Sequence, residues 1–366
     1  MRELAVGELG VRGFRNLAHV DVAFGPRFNV VAGDNGQGKT NLLEAVYVVA
    51  TSRSFRTSKM SDLIGAAGDT ASLRAQIYED GDAREQSVGL RTGTRAVRIA
   101  GKRPPTLAAY AVRTPVVVFH PGMVNLAAGS GSERRRLLDR IALYLDPTSL
   151  ADLHGYAQAS RARQRVLDAR GESAPDLDEW EELMARHALG IGAVRSRASE
   201  LLGAAALEAF AGIGAPGVTF AARYHRSAPA ESYAHKAALS QRRTQDRARG
   251  SASVGPHRDD LLLELGGRPV RGIASQGQHR AVVLALELAE IAVVGGASGV
   301  RPVLLLDDVS SELDRPRTTA LFEALRKERG QVILTTTRPE LMDSIDSLGG
   351  EERRDFAVVG GVVKRA

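Results

Sequence analysis

The chain has 366 residues, 43% of them hydrophobic and 25% charged, with a formal net charge of +6 at pH 7. That balance excludes a disordered chain and leaves enough apolar material for one large core or two modest ones. Cysteine is absent, which excludes disulfides and thiol-based metal or redox chemistry.

The first third reads as β-structure with one interruption. Leu4–Val11 and Leu17–Phe24 predict strands joined through a turn at residues 13–16, and the apolar run 28–32 predicts a buried strand that stops at Gly33. A helix is expected over 41–50. Short alternating runs at 73–78, 86–91 and 95–100 predict a β-meander, and 116–119 another buried strand. From Ser132 the texture turns helical, with helices expected over 133–145, 148–170 and 177–211. Trp180, Met184 and His187 recur at helical spacing and predict a packed seam. A hairpin around Gly266-Gly267, a helix over 276–294, buried strands at 303–306 and 332–335 and a helix at 316–329 complete the reading. The apolar stretch 281–300 carries Glu287 and Glu290, so a buried helix is expected there rather than a membrane span, and no membrane partner is expected. Met1 opens no run of signal-peptide length, and the expected compartment is the cytoplasm. The expected class is α/β: one lobe from both ends of the chain (1–120 plus 251–366) and an inserted, mainly helical lobe (121–250).

Residues 33–40, Gly33-Asp34-Asn35-Gly36-Gln37-Gly38-Lys39-Thr40, satisfy the phosphate-loop pattern G-x-x-x-x-G-K-[ST], after a buried strand and before a helix. Glycines let successive N–H groups face a phosphate, and the helix start adds the positive end of its dipole. Lys39 is expected on the β- and γ-phosphates of ATP and Thr40 on Mg²⁺. Far along the chain, an apolar strand ends in Asp307-Asp308. Asp307 is the candidate second Mg²⁺ contact, and Asp308 the candidate group that polarises the attacking water. Just upstream, Ser275, Gly277 and Gln278 open an apolar helix, a second anion site at a helix N-terminus.

One phosphate-loop protein needs no second anion site, whereas an ATPase that sandwiches ATP between two copies does. The order phosphate loop, Ser275-Gln276-Gly277-Gln278, strand with paired acids, then Ser311-Glu312-Leu313-Asp314 resembles the ABC-type P-loop ATPases, the last segment their D-loop. Within them the chain is similar along essentially its whole length to the RecF family of bacterial recombination mediators. The motifs that carry this are Phe14-Arg15-Asn16, residues 52–57 (S-R-S-F-R-T), 133–139 (E-R-R-R-L-L-D), 255–261 (G-P-H-R-D-D-L) and 306–314 (L-D-D-V-S-S-E-L-D). The resemblance implies an ABC-type ATPase head with an inserted helical lobe. It implies a weak, DNA-stimulated ATPase of DNA repair that dimerises on ATP and binds double-stranded and gapped DNA. It also implies action with RecR and RecO to help RecA displace single-strand-binding protein. The sequence departs from the ABC pattern in three places. His120-Pro121-Gly122-Met123 stands where a glutamine follows the strand, residues 335–338 (T-T-T-R) stand where a switch histidine is usual, and Asp308 replaces a longer glutamate. Each implies slow hydrolysis. The alternatives are another SMC-like chromosome-associated ATPase, a transporter nucleotide-binding subunit, or an ATP-dependent DNA clamp whose hydrolysis is incidental.

Only six of the 49 basic residues are lysine, and the sequence pI is 9.8. Arginine suits phosphate oxygens, although GC-rich coding produces the same bias. Candidate DNA contacts are Arg134, Arg135 and Arg136, the helix arginines 161, 163 and 165, and Arg242, Arg243, Arg247 and Arg249. Aromatics are 5% of the chain and do not interleave with these runs, so backbone contact without sequence preference is expected.

Overall fold

The computed structural model describes residues 1–214, 217–308, 315–338 and 353–366. In chain order the strands are β1 (Leu4–Phe14), β2 (Leu17–Ala23), β3 (Phe28–Ala32), β4 (Thr70–Glu79), β5 (Asp82–Arg91), β6 (Thr94–Ile99), β7 (Val116–Phe119), β8 (Phe220–His225), β9 (Asp260–Leu265), β10 (Arg268–Pro269), β11 (Val303–Leu306), β12 (Val332–Thr336), β13 (Arg353–Val359) and β14 (Val362–Arg365). The helices are α1 (Lys39–Thr51), α2 (Leu107–Ala111), α3 (Asn125–Ala128), α4 (Gly131–Leu145), α5 (Ser149–Arg170), α6 (Leu177–Ala211), α7 (Ser232–Ser240), α8 (Arg243–Arg249), α9 (Gln276–Ser298) and the helix Arg315–Glu328.

The chain divides into two compact units, Met1–Met123 with Val294–Ala366, and Val124–Val293. In the first, a six-stranded sheet runs β14-β13-β3-β12-β11-β7, and a five-stranded antiparallel sheet runs β2-β1-β4-β5-β6. The central strands β13, β3, β12, β11 and β7 pair in parallel, so their C-terminal ends lie along one edge. β7 (V-V-V-F) and β11 (V-L-L-L) are apolar throughout, and β3 (F-N-V-V-A) is so but for the buried Asn29, as strands covered on both faces should be. β1 and β4 instead alternate buried and open positions, so they cover the core with one face. Val6, Phe14, Val31, Leu43, Val46, Leu73, Ile77 and Leu305 belong to one continuous cluster.

In the second unit α5 and α6 lie together in sequence around a turn closed by Gly171, and Tyr156, Met184, Ile191 and Leu239 form its core, with Trp180 packed at the margin. His187 of α6 also lies in that seam, facing Asp152 of α5, Nδ1 to Oδ1 at 2.9 Å. A three-stranded sheet, β10-β9-β8, completes the unit. The expected break at 250 therefore differs from the one observed. The hairpin β9–β10 adds to β8 of the inserted unit because Leu261, Leu263 and Leu265 bury against it, and the boundary falls inside α9. α9 is long and apolar enough to cross a bilayer, but 72% of its most apolar stretch is buried within the protein. Glu290 on α9 receives both Nε and Nη2 of Arg140 at 2.7 and 2.8 Å, which is how its charge is held inside.

Candidate functional site

The loop after β3 curls because Gly36 and Gly38 take φ of 80° and 117°, values that cost other residues steric strain. α1 then starts at Lys39 with no side-chain cap and no acid in its first turn, so its first N–H groups and dipole are left for an anion. Lys39 is 7% exposed, and its Nζ donates to the carbonyls of Gly33 (2.6 Å) and Asp34 (2.9 Å). Burial lowers its pKa, and Asp308, Asp307 and Asp34 oppose that shift. The loop is also gripped from outside. Gly360 N–H donates to the Gln37 side chain (2.6 Å), and Gly361 N–H to the Gln37 carbonyl (2.9 Å), from the tip of the β13–β14 hairpin. Asn16 donates to the same carbonyl at 3.3 Å and accepts from Asn41 at 2.7 Å.

The paired acids come to this loop because β11 lies two strands from β3 in the same parallel sheet. Asp307 is 6% exposed and its Oδ1 accepts the hydroxyls of Thr40 (2.8 Å) and Thr335 (2.9 Å). Burial raises its pKa, while the two hydroxyls pull it back down. Asp308 takes φ of 48° and donates its N–H to Thr335 Oγ1 at 3.0 Å. So Lys39, Thr40, Asp307 and Asp308 form one constellation in one unit. Hydroxyl and carboxylate oxygens are the donors a hard cation takes, and no group of three or more His, Asp or Glu that could hold a metal occurs among the described residues. That set fits Mg²⁺, which binds one or two protein oxygens and fills its shell with water and phosphate oxygens.

Ser275, Gly277 and Gln278 stand in the other unit, at the N-terminus of α9. Gln278 N–H donates to Ser275 Oγ (3.2 Å) and Ser275 N–H to Gln278 Oε1 (2.8 Å), a reciprocal capping box. Ser275 is exposed, and its hydroxyl, accepting from the helix, keeps its own proton to donate. Ser311–Asp314, the expected D-loop, lie outside the described residues.

The arginine cluster requires a correction. Arg134 is 4% exposed: Nε and Nη2 grip Asp260 at 2.7 and 2.8 Å, and Nη1 donates to the carbonyls of Leu126 and Gly129. It is the buried strut of α4, with no face left for a phosphate. Arg135 donates to the Asp259 carbonyl at 2.7 Å, and only Arg136, bonded to Glu133, has an open side chain. Arg163 is likewise buried, between Glu181 and Asp246, and Arg243 holds Glu181 and Asp178. Arg161 and Arg165 remain exposed.

Several residues of the site carried no assigned role in the sequence reading. Thr335, noted there only as a departure, ties the two acids together. Glu44, fully buried one turn into α1, accepts from Arg15 (2.9 Å twice), Ser54 (2.5 Å) and Arg56 (3.1 Å), so residues 14–16 and 52–57 converge on the helix behind Thr40. A buried acid in an otherwise apolar helix was the available signal.

Residues 5–355 match the model of the RecF/RecN/SMC N-terminal domain. The chain is 38% identical to the DNA replication and repair protein RecF of Anaeromyxobacter sp., covering 97% of each, and 34% identical to that of Citrifermentans bemidjiense, covering 97% of this chain and 98% of the other. The recombination mediator protein RecF of the RecFOR pathway, solved as RecF-ATP, superposes with a TM-score of 0.88 at 27% identity, covering 100% of this chain and 98% of that one. An SMC head bound to the C-terminal winged-helix domain of ScpA shares the fold alone, at a TM-score of 0.55 and 18% identity over 99% of this chain and 96% of that one. The fold is an ABC-ATPase-like head, and the chain belongs to the RecF family.

Proposed function

We propose that the protein is an ATP-dependent, DNA-binding recombination mediator of DNA replication and repair, with a weak ATPase that DNA stimulates. The observation that carries this is the Thr40–Asp307–Thr335–Asp308 chain of hydrogen bonds beside the uncapped start of α1, in a chain whose solved relatives include RecF-ATP. The loop N–H groups and Lys39 bind the β- and γ-phosphates of ATP, and Lys39 leaves the Gly33 and Asp34 carbonyls to do so. Thr40 and Asp307 would hold Mg²⁺, which when bound neutralises charge on the phosphate oxygens. Asp308 accepts the proton of the attacking water. Ser275, Gly277 and Gln278 close on the γ-phosphate held by a second copy, so that ATP drives a homodimer. With Asp308 fixed through Thr335 and no glutamine after β7, turnover is slow, as suits a switch.

The partners on this reading are double-stranded and gapped DNA, RecR and RecO, and functionally RecA and single-strand-binding protein, in the cytoplasm around the nucleoid. The testing experiment compares Asp308→Asn with Asp307→Asn in ATP affinity and turnover. Asp308→Asn should bind ATP as the wild type does and lose turnover by about 100-fold or more, the scale of a missing general base. Asp307→Asn should lose Mg²⁺-dependent affinity itself. Equal loss of affinity in both would overturn the division of roles.

A further inference from the structure

β3, β12 and β11 all begin at Phe28, Val332 and Val303 and run toward the phosphate loop and Asp307. Around their starting ends, the full length of the sheet away (five residues, about 17 Å), lies a cavity of 710 Å³ that the nucleotide reading does not use. Arg27, Arg301, Arg326 and Arg329 line it, against the carboxylates of Glu3 and Asp80. Asp80 already serves the Glu3 N–H (2.8 Å). Glu3 pairs with Arg301 at 3.2 Å while remaining 77% exposed, so it is a displaceable partner. Arg329 is exposed, held at φ of 52° where the helix Arg315–Glu328 ends.

The floor is rigid. Gln331, 1% exposed, bonds Val6 N–H and carbonyl at 2.8 Å each and Gly25 O at 2.7 Å, and Arg27 donates to Gly330 O at 2.5 Å. Between the charges lie the open apolar surfaces of Ala5, Pro26 and Tyr78, the last 42% exposed.

We propose that this groove docks a short acidic segment of a partner protein, with carboxylates on Arg301 and Arg329 and apolar side chains on Pro26 and Tyr78. The volume falls within the roughly 300–1,000 Å³ of pockets that enclose a compact ligand. The guanidinium fork of an arginine fits an oxyanion such as a carboxylate with two parallel hydrogen bonds. A continuous phosphate backbone would meet Glu3 and Asp80 and offer nothing to the apolar positions.

The probe is a fluorescein-labelled hexapeptide of alternating glutamate and leucine, read by anisotropy with the full-length protein. The wild type should bind it at least tenfold more tightly than the same peptide with glutamine for glutamate. Arg301→Glu with Arg329→Glu should weaken the glutamate peptide at least tenfold while leaving ATP affinity unchanged, the latter showing that the variant is folded. The proposal is overturned by absent binding, by equal binding of the two peptides, or by an unaltered affinity in the variant. Stoichiometric displacement of the peptide by a single-stranded oligonucleotide would also overturn it, assigning the groove to nucleic acid.

Discussion

Arg134 and Arg136 stand two residues apart on α4, and their substitution should separate architecture from DNA contact. Arg134→Met keeps most of the volume and removes both ends of a two-point grip on Asp260. Breaking a buried pair from one side costs about 3–5 kcal/mol, because the remaining charge is left without a partner. The Asp260 side chain is 27% exposed and can recover some solvation, so the lower end, about 3 kcal/mol, is expected. For a domain of some 150–250 residues each kcal/mol moves the midpoint by about 2–4 °C, which gives a drop of about 6–12 °C. Arg134→Met with Asp260→Leu should recover part of that loss. Arg136→Ala, whose side chain is 66% exposed, should leave the midpoint within about 1 °C, as surface pairs are worth little. If Arg136 meets a phosphate, the same change should lower the slope of log affinity for duplex DNA against log salt by about 0.9. Thermal denaturation and salt-dependent anisotropy on each variant decide the matter. An Arg134→Met protein that melts like the wild type yet binds DNA more weakly would refute the reasoning.

Lys39→Arg should abolish turnover, because a guanidinium cannot occupy the compact place the ammonium takes between the loop and the phosphates; undiminished turnover would remove the phosphate-loop assignment. Gln37→Ala removes the side-chain bond from Gly360 and should raise the Kd for ATP by roughly 2- to 10-fold, the worth of one hydrogen bond, with kcat unchanged. Gly361→Ala should do more, since a Cβ there would stand 2.3 Å from the Asn16 carbonyl; nucleotide titration of both variants checks the hairpin's hold on the loop. His235 is 3% exposed, and burial pushes its pKa down to about 4. The unfolded chain then binds the proton first, so stability is complete above about pH 6.5 and falls as the pH drops toward 4, by roughly 3 kcal/mol for that shift. Urea denaturation at pH 7 and pH 5 should show the loss, and His235→Leu should remove about one proton's worth of it; a flat profile would contradict the neutral, buried imidazole.

The phosphate loop was legible because its chemistry is local: glycines, a lysine and a hydroxyl at fixed spacing between a buried strand and a helix. Asp307 and Asp308 were legible because four apolar residues ending in two acids leave little else for a strand to be. Thr335 has no such signature. Its role comes from lying in the strand between β3 and β11, a pairing across hundreds of residues that no local pattern encodes. The hairpin β13–β14 was missed for a related reason, since its strands are arginine-rich at one end and alternate weakly. Residues 255–261 were legible only as a resemblance. The structure gives them a physical role: Asp259 accepts Tyr224, Arg195 (3.3 Å) and the Ser227 N–H (2.9 Å), Asp260 holds Arg134, and His257 bonds Tyr156 at 3.0 Å. The arginines misled for the converse reason. A run of like charge reads as a solvated face, whereas Arg134 and Arg163 each find acids supplied from distant segments.

The central claim is that ATP joins two copies through Lys39 of one and Ser275 of the other. Size-exclusion chromatography with light scattering, with and without ATP and a short duplex, tests it most directly on the wild type and on Ser275→Arg. The wild type should run as a monomer alone and as a dimer with ATP. Ser275→Arg, whose own phosphate loop is untouched, should bind ATP and remain monomeric, and mixing it with Lys39→Arg should restore some dimer through one intact composite site. A wild type indifferent to ATP, or a Ser275→Arg protein that dimerises on ATP as the wild type does, would contradict the account.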